Sequence, residues 1–93
     1  MKSIVSNDLK CWVCGDTRNL HLHHVYYGSA NRKQSTKYGC VVYLCPAHHT
    51  MSKEGVHFNH DLDLFLKKHT QRQWEMKYGD REEFRKVFGR SYL

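Results

Sequence analysis

Two short pairs of metal-ligand residues constrain the fold of this chain more than any other feature. Cys11 and Cys14 are separated by two residues, and Cys45 and His48 repeat that spacing after thirty intervening residues. A two-residue gap lets both side chains of a pair reach one ion, and two pairs complete the tetrahedral shell that zinc prefers. We therefore predict a structural zinc ion on these four residues. The alternatives are a redox pair, for which the expected βαβ pattern is missing, and ordinary buried cysteines.

The size and charge of the chain fit this interpretation. A domain of 93 residues buries a modest share of its surface and often needs a metal or disulfide for stability. The net charge of +6 favours a polyanionic partner, with nucleic acid before membrane. No apolar run is long enough for a signal peptide or a membrane span, so we expect a soluble, intracellular protein with reduced cysteines.

Short apolar runs and glycines in the first half predict strands. Residues 20–27 alternate at first and then become aromatic, and residues 40–45 are a β-branched and aromatic run. The two segments are predicted to form a β-hairpin. The segment between them, 28–39, is bounded by glycines and is predicted to be a polar loop. Pro46 suits the first turn of a short helix, which Gly55 should end or bend.

The second half has a helical pattern. A long helix is predicted to start after Asn59 or Asp61, either of which can cap it, and to run to about Tyr78. A final helix is predicted after Asp80, with Gly89 closing it. The predicted fold class is α+β, with a hairpin and a short helix followed by two further helices.

The run "HLHHV" at residues 21–25 is the second concentration of chemistry-bearing side chains. Neighbouring side chains on an extended segment point to opposite sides, so His23 and His24 can have different roles. His21 shares the side of His23, as an outer-shell partner or as a packed or exposed strand residue. His49 follows the second ligand pair directly.

The segments "CWVCG" (11–15), "LHLHHV" (20–25) and "LCPAHH" (44–49) together resemble the HNH endonucleases, also called ββα-metal or His-Me finger nucleases. The resemblance covers roughly residues 11–57. Residues 54–84 are further similar to small phage-encoded members, of which the RecA-dependent nucleases look closest. The resemblance implies one nuclease domain over 1–93, with a ββα-metal core at about 9–58 and a helical extension at about 59–93.

The resemblance also implies roles for individual histidines. His24 would be the general base, and His23 and His49 would bind a catalytic divalent cation. Many members carry a further histidine one helical turn later, but position 53 is a lysine here, so His57 is the best substitute. The asparagine of the family usually lies just before the second strand. Asn31 is the nearest one upstream and is a candidate orienting residue.

The implied activity is hydrolysis of DNA phosphodiester bonds with Mg²⁺ or another divalent cation. A phage or prophage protein acting in recombination or DNA processing in the bacterial cytoplasm is expected, with a RecA-like filament as a candidate partner and no membrane association. The oligomeric state stays open. The alternatives are a non-catalytic zinc module that binds DNA or a recombination protein, and a nuclease acting on RNA.

Two clusters of cations are candidate nucleic-acid contacts. Cations can anchor phosphates, and nearby aromatic rings can stack on unpaired bases. A solvated surface is the commoner meaning of such a cluster. The favoured cluster lies between the two predicted strands, at Arg32, Lys33 and Lys37, and the other lies on the long helix, at Lys67, Lys68 and Arg72.

Overall fold

A computed structural model describes residues 2–49, 55–57 and 59–93. Its described elements form an α+β fold with a two-stranded antiparallel hairpin and four helices. Strand β1 covers His21–His24 and strand β2 covers Val41–Leu44. The two pair in a register that sets His23 opposite Val42 and His24 opposite Val41. The predicted hairpin is confirmed, with strands shorter than the apolar runs.

The segment between the strands is helix α1, Ser29–Tyr38, and the predicted polar loop is wrong. Half of its residues are good helix formers, and they carry little apolar periodicity because the buried position is a small polar residue, Ser35. The Ser35 hydroxyl donates to the Tyr26 carbonyl at 2.7 Å and accepts from the Tyr26 amide at 3.1 Å. Helix α1 therefore packs through a polar contact and lacks the apolar stripe by which a helix is recognised in a sequence.

Gly39 ends α1 in the left-handed conformation, with φ of 73°. Strand β2 begins two residues after Gly39. The N-terminal segment crosses Gly39, and the Ile4 amide donates to the Gly39 carbonyl at 2.9 Å. A Cβ atom at Gly39 would lie 2.5 Å from the Lys2 carbonyl oxygen. Glycine is therefore required here both by the backbone angle and by the close approach.

The remaining helices follow the sequence prediction closely. Helix α2 covers Pro46–His49, and the predicted continuation toward Gly55 crosses residues 50–54, which lie outside the described residues. Helix α3 covers His60–Lys77, and Asn59 caps it by accepting from the Leu62 amide at 3.1 Å. Helix α4 covers Arg81–Phe88. Asp80 caps α4, and Gly89 ends it in the left-handed conformation, as predicted.

An aromatic core joins the hairpin to α3 and α4. Tyr26 is fully buried, with its ring 4.5 Å from that of Phe88 and 5.3 Å from that of Phe84. The Tyr26 hydroxyl donates to the Lys67 carbonyl of α3 at 2.7 Å. The C-terminal helices therefore share one core with the hairpin.

The first cysteine pair is attached to this core from the other side. The Trp12 amide donates to the Tyr43 carbonyl of β2 at 2.9 Å. The Trp12 ring packs on α3, with centroids 6.1 Å from Phe65 and 5.7 Å from His69. Within the described residues, none of the helices has the length and apolar character needed to cross a membrane.

Candidate metal centres

Four predicted zinc ligands converge at the end of the hairpin. The ligand atoms of Cys11, Cys14, Cys45 and His48 all lie within 4.8 Å of one another. The Sγ atoms of Cys14 and Cys45 are 3.7 Å apart, and Nδ1 of His48 lies 3.2 Å from Sγ of Cys45 and 3.8 Å from Sγ of Cys11. Zinc–sulfur bonds in a tetrahedral site imply sulfur–sulfur edges of about 3.8 Å. The cluster therefore has the dimensions of a tetrahedral metal site.

The surroundings of Cys11 favour its thiolate. Burial of this side chain opposes ionisation, but backbone hydrogen bonds from Cys45, Cys14 and Val13 outweigh it and lower the pKa of Cys11 to about 6. A thiolate is the form that binds zinc. The geometry and donor set are thus compatible with zinc.

Cys40 is separate from this cluster. It is fully buried in the apolar core, and burial raises the pKa of its thiol to about 12. A thiol with those properties acts as a small apolar side chain.

Three histidines, one of them on β1, form a second cluster. The ligand atoms of His23, His49 and His57 lie within 4.8 Å of one another. Nε2 of His49 and Nε2 of His57 are 3.3 Å apart, which is about the edge of a tetrahedral site with metal–nitrogen bonds of about 2.0–2.1 Å. The structure therefore brings together the three residues that the resemblance implied as ligands.

Backbone hydrogen bonds bring His57 to this position. The Val56 amide donates to the His48 carbonyl at 2.8 Å, and the His57 amide donates to the His49 carbonyl at 3.4 Å. Residues 55–57 thereby lie against α2, although eight positions separate His49 from His57. Residues 55–57 therefore place an imidazole beside those of His23 and His49.

His23 is held in the form that binds a cation. Its side chain is 2% exposed, and its Nε2 atom has no hydrogen-bond partner among the described residues. Burial, reinforced by the nearby His49 and His57, lowers the pKa of His23 to about 3. A buried imidazole nitrogen without a hydrogen-bond partner loses the free energy of its hydration. A group bound at that nitrogen would offset the loss.

His21 contacts His49, one member of the second cluster. Its Nδ1 atom lies 2.9 Å from Nδ1 of His49, and the two rings meet edge to face at 5.1 Å. One of the two nitrogens must donate. When His49 donates from Nδ1, its Nε2 lone pair faces His57 and the shared ligand position. Of the two sequence interpretations, the outer-shell partner is therefore the one that this contact supports.

His24, the last residue of β1, contacts α1. Its Nε2 atom is 3.1 Å from Oγ1 of Thr36, and that hydroxyl donates to the Arg32 carbonyl at 3.1 Å. A hydroxyl has one proton, so Thr36 accepts from His24, and the lone pair of His24 is on Nδ1. Burial and the charge of Arg32 lower the pKa of His24, which favours a neutral imidazole able to accept a proton.

A cleft of about 210 Å³ connects the histidines. Two histidines of β1, two histidines that follow β2 in the chain and one arginine of α1 contribute to its lining. The lining residues are Leu22, His23, His24, Tyr27, Arg32, His49 and His57. The ligand cluster and His24 therefore open onto the same cleft.

Asn31 does not line this cleft. Its side-chain amide donates to the Phe88 carbonyl at 3.2 Å and ties α1 to α4. The side chain found against His24 is Thr36, which no motif indicated. Threonine in a polar helix has no distinctive spacing, so sequence reasoning had no signal for it.

The cations of the first predicted cluster lie on one exposed groove of α1. Arg32, Lys33 and Lys37 line it with Ser29 and Thr36. In the second predicted cluster, one of the cations is paired within the protein, because Lys67 forms an ion pair with Asp63.

That ion pair belongs to a partly buried network beside the cleft, which the sequence analysis missed. Lys67 Nζ lies 2.9 Å from Oδ2 of Asp63, and the Tyr27 hydroxyl donates to the same oxygen at 2.9 Å. Burial disfavours the Lys67 ammonium, but the bond to Asp63 holds the pKa of Lys67 above its ordinary value. The i,i+4 spacing of Asp63 and Lys67 was a usable signal for the pair, although not for Tyr27.

No protein-family model matches the chain, and no match was found among curated proteins or solved structures. The class of protein is therefore defined by the fold and the two clusters. It is a small α+β domain with a Cys/His group that can hold a metal ion.

Proposed function

We propose that this protein is a metal-dependent endonuclease of the HNH type, with a ββα-metal core made of β1, β2 and α2, which hydrolyses DNA phosphodiester bonds. One observation carries the proposal. His23, His49 and His57 converge on one ligand position at a cleft that His24 also lines. A structural metal site alone would not need that arrangement beside an open cleft.

The histidine cluster is proposed to hold the catalytic cation. Three imidazole ligands leave positions open for substrate, which is typical of catalytic rather than structural sites. Imidazole ligands favour first-row transition cations, whereas Mg²⁺ prefers oxygen ligands. When bound, the cation supplies electrostatic stabilisation of the charge that builds on the phosphate and the leaving 3′ oxygen. We therefore expect a transition cation to support activity better than Mg²⁺.

His24 is proposed to be the general base. It takes the proton of the attacking water at Nδ1, while Thr36 holds its Nε2–H. A base placed in this way contributes about 10²–10⁴-fold in rate. Arg32 lines the same cleft and can anchor the phosphate, and Lys33 and Lys37 extend that contact along α1.

The Cys/His cluster is proposed to bind a structural zinc ion. It joins the residues before β1 to those after β2, so the ion would clamp both ends of the hairpin that carries the histidines. A phage or prophage role in recombination or DNA processing in the bacterial cytoplasm, with a RecA-like filament as partner, rests on the sequence resemblance alone.

The test is cleavage of plasmid and single-stranded DNA by purified protein with Mg²⁺, Mn²⁺, Co²⁺ or Ni²⁺. We expect cleavage that falls about 10²–10⁴-fold in His24→Ala. His60→Ala is the matched control, because His60 is an exposed first residue of α3. Equal activity of wild type and His24→Ala would reject the catalytic assignment. Absence of cleavage with zinc retained and DNA bound would identify a non-catalytic zinc module, and preferential cleavage of RNA would reject DNA as the substrate.

A further inference from the structure

A band of cations leads away from the histidine cleft. We define the basic track as Arg32, Lys33, Lys37, Lys2 and Lys77. Arg32 lines both the cleft and the groove along α1. Lys37 lines both that groove and the next depression, where Lys2 and Lys77 lie. Three adjacent depressions are thus connected by shared side chains.

The basic track has no acidic lining. Among the described residues that line the three depressions, none is an aspartate or a glutamate. The ion pairs of the described residues involve other cations, such as Lys67 with Asp63 and Arg81 with Glu75. The positive charge of the basic track is therefore not neutralised within the described part of the chain.

Aromatic rings lie at the far end of the basic track. The rings of Tyr38 and Tyr78 meet edge to face at 5.0 Å. Lys37 Nζ lies 5.4 Å from the Tyr38 ring and Lys77 Nζ lies 5.6 Å from the Tyr78 ring. Tyr78 is 41% exposed, so part of its side chain is accessible to another planar group. Alternating cations and exposed rings are typical of surfaces that bind single-stranded nucleic acid.

We infer that the basic track binds a single strand of nucleic acid as it leaves the cleft, with its phosphates on the cations and a base on the Tyr78 ring. This inference rests on the proposed function and names the path of its substrate. A concave path that starts in a cleft and follows a helix of about 15 Å suits a thread-like polyanion better than a flat anionic surface.

The experiment measures binding without cleavage. A fluorescein-labelled single-stranded oligodeoxynucleotide is titrated with the zinc-loaded His24→Ala protein, with no added divalent cation, over a range of salt concentrations. Removing two phosphate contacts by Lys2→Gln with Lys77→Gln should make the slope of log K against log salt shallower by about 1.4. Lys10→Gln with Lys86→Gln removes the same charge from exposed positions outside the basic track and should leave the slope unchanged.

The aromatic contact has its own pair of variants. Tyr78→Leu should weaken binding roughly fivefold or more, because a stacked base loses its partner, whereas Tyr78→Phe should retain it. Equal slopes for the two double variants would overturn the basic track. Equal affinity of Tyr78→Leu and Tyr78→Phe would overturn the stacking contact. Cleavage by the wild-type protein is measured separately, so either result can occur while the proposed nuclease activity stands.

Discussion

Hydrogen bonds between single side chains constrain which ring nitrogen carries the proton in His24 and His49. Thr36 accepts from Nε2 of His24, while the contact between His21 and His49 constrains Nδ1 of His49. Each imidazole has two chemically different nitrogens, and the partner of one determines what the other can do. Thr36 and His21 are therefore expected to matter without touching the substrate phosphate.

Thr36→Val should lower kcat for DNA cleavage roughly fivefold to tenfold, with KM little changed. Valine keeps the shape of threonine but cannot accept from Nε2 of His24, and a hydrogen bond of this kind contributes about 1 kcal/mol. Thr36→Ser keeps the hydroxyl and should retain the wild-type rate. Steady-state kinetics on a short DNA substrate measures this, and identical kcat values for valine and wild type would show that His24 is oriented by something else.

His21→Ala should weaken cation binding at the histidine cluster by about 10- to 100-fold. His49 would lose the partner that lies 2.9 Å from its Nδ1. His21→Gln has a side-chain oxygen that can accept from His49 and should recover part of the affinity. Calorimetric titration of zinc-loaded protein with Ni²⁺ measures this, and the zinc content is the internal control. Unchanged Ni²⁺ affinity in His21→Ala would contradict an outer-shell role.

At the scale of elements, helix α1 and its ending position the site. The helix places Thr36 against His24 and Arg32 in the cleft. It must stop at Gly39 so that β2 can pair with β1 in the register that faces His23 with Val42. The ending of α1 is therefore as important for the site as the strands themselves.

Gly39→Ala should destabilise the protein more than Gly89→Ala does. Both glycines have positive φ, of 73° and 89°, so each alanine should lose about 1–2 kcal/mol to backbone strain. The Cβ atom at Gly39 would also meet the Lys2 carbonyl at 2.5 Å, whereas nothing lies within 4 Å of that at Gly89. Urea denaturation measures both variants, and an equal loss of unfolding free energy would show that the N-terminal segment moves away easily.

At the scale of the whole molecule, the hairpin and the C-terminal helices depend on one core. Tyr26 lies two residues after the end of β1, and its ring packs on Phe84 and Phe88 of α4. The C-terminal helices, which the sequence interpretation treats as an extension, therefore share one core with the hairpin. We expect the two parts to unfold together.

Phe84→Ala should lower the unfolding free energy by about 3–5 kcal/mol and reduce amide protection in β1 and β2 as much as in α4. Phe84 is 0% exposed and contacts Tyr26. Phe65→Ala is the control, because Phe65 is 60% exposed and its loss should cost less than about 1 kcal/mol. Hydrogen exchange followed by mass spectrometry resolves the segments. Loss of protection in α4 with the hairpin unchanged would show two independent units.

Local signals determined a large part of this architecture in advance. Asn59, Asp80 and Gly89 mark helix boundaries because caps satisfy backbone groups within a few residues of themselves. Strand β1 follows from the alternation of leucine and histidine, and β2 follows from a β-branched and aromatic run. The Cys/His pairs predicted a cluster that the structure brings together, because a two-residue spacing already limits where the ligand atoms can lie.

The sequence by itself thus determined the caps, the strands and the four-residue metal cluster, since each depends on neighbours in the chain. Only the tertiary structure decided that 28–39 is a helix, because Ser35 is buried through hydrogen bonds to Tyr26. It also decided that His57 meets His23 and His49, and that Thr36 rather than Asn31 contacts His24. Those contacts join residues far apart in the chain, and no periodicity or spacing encodes which side chains the folded core will bring face to face.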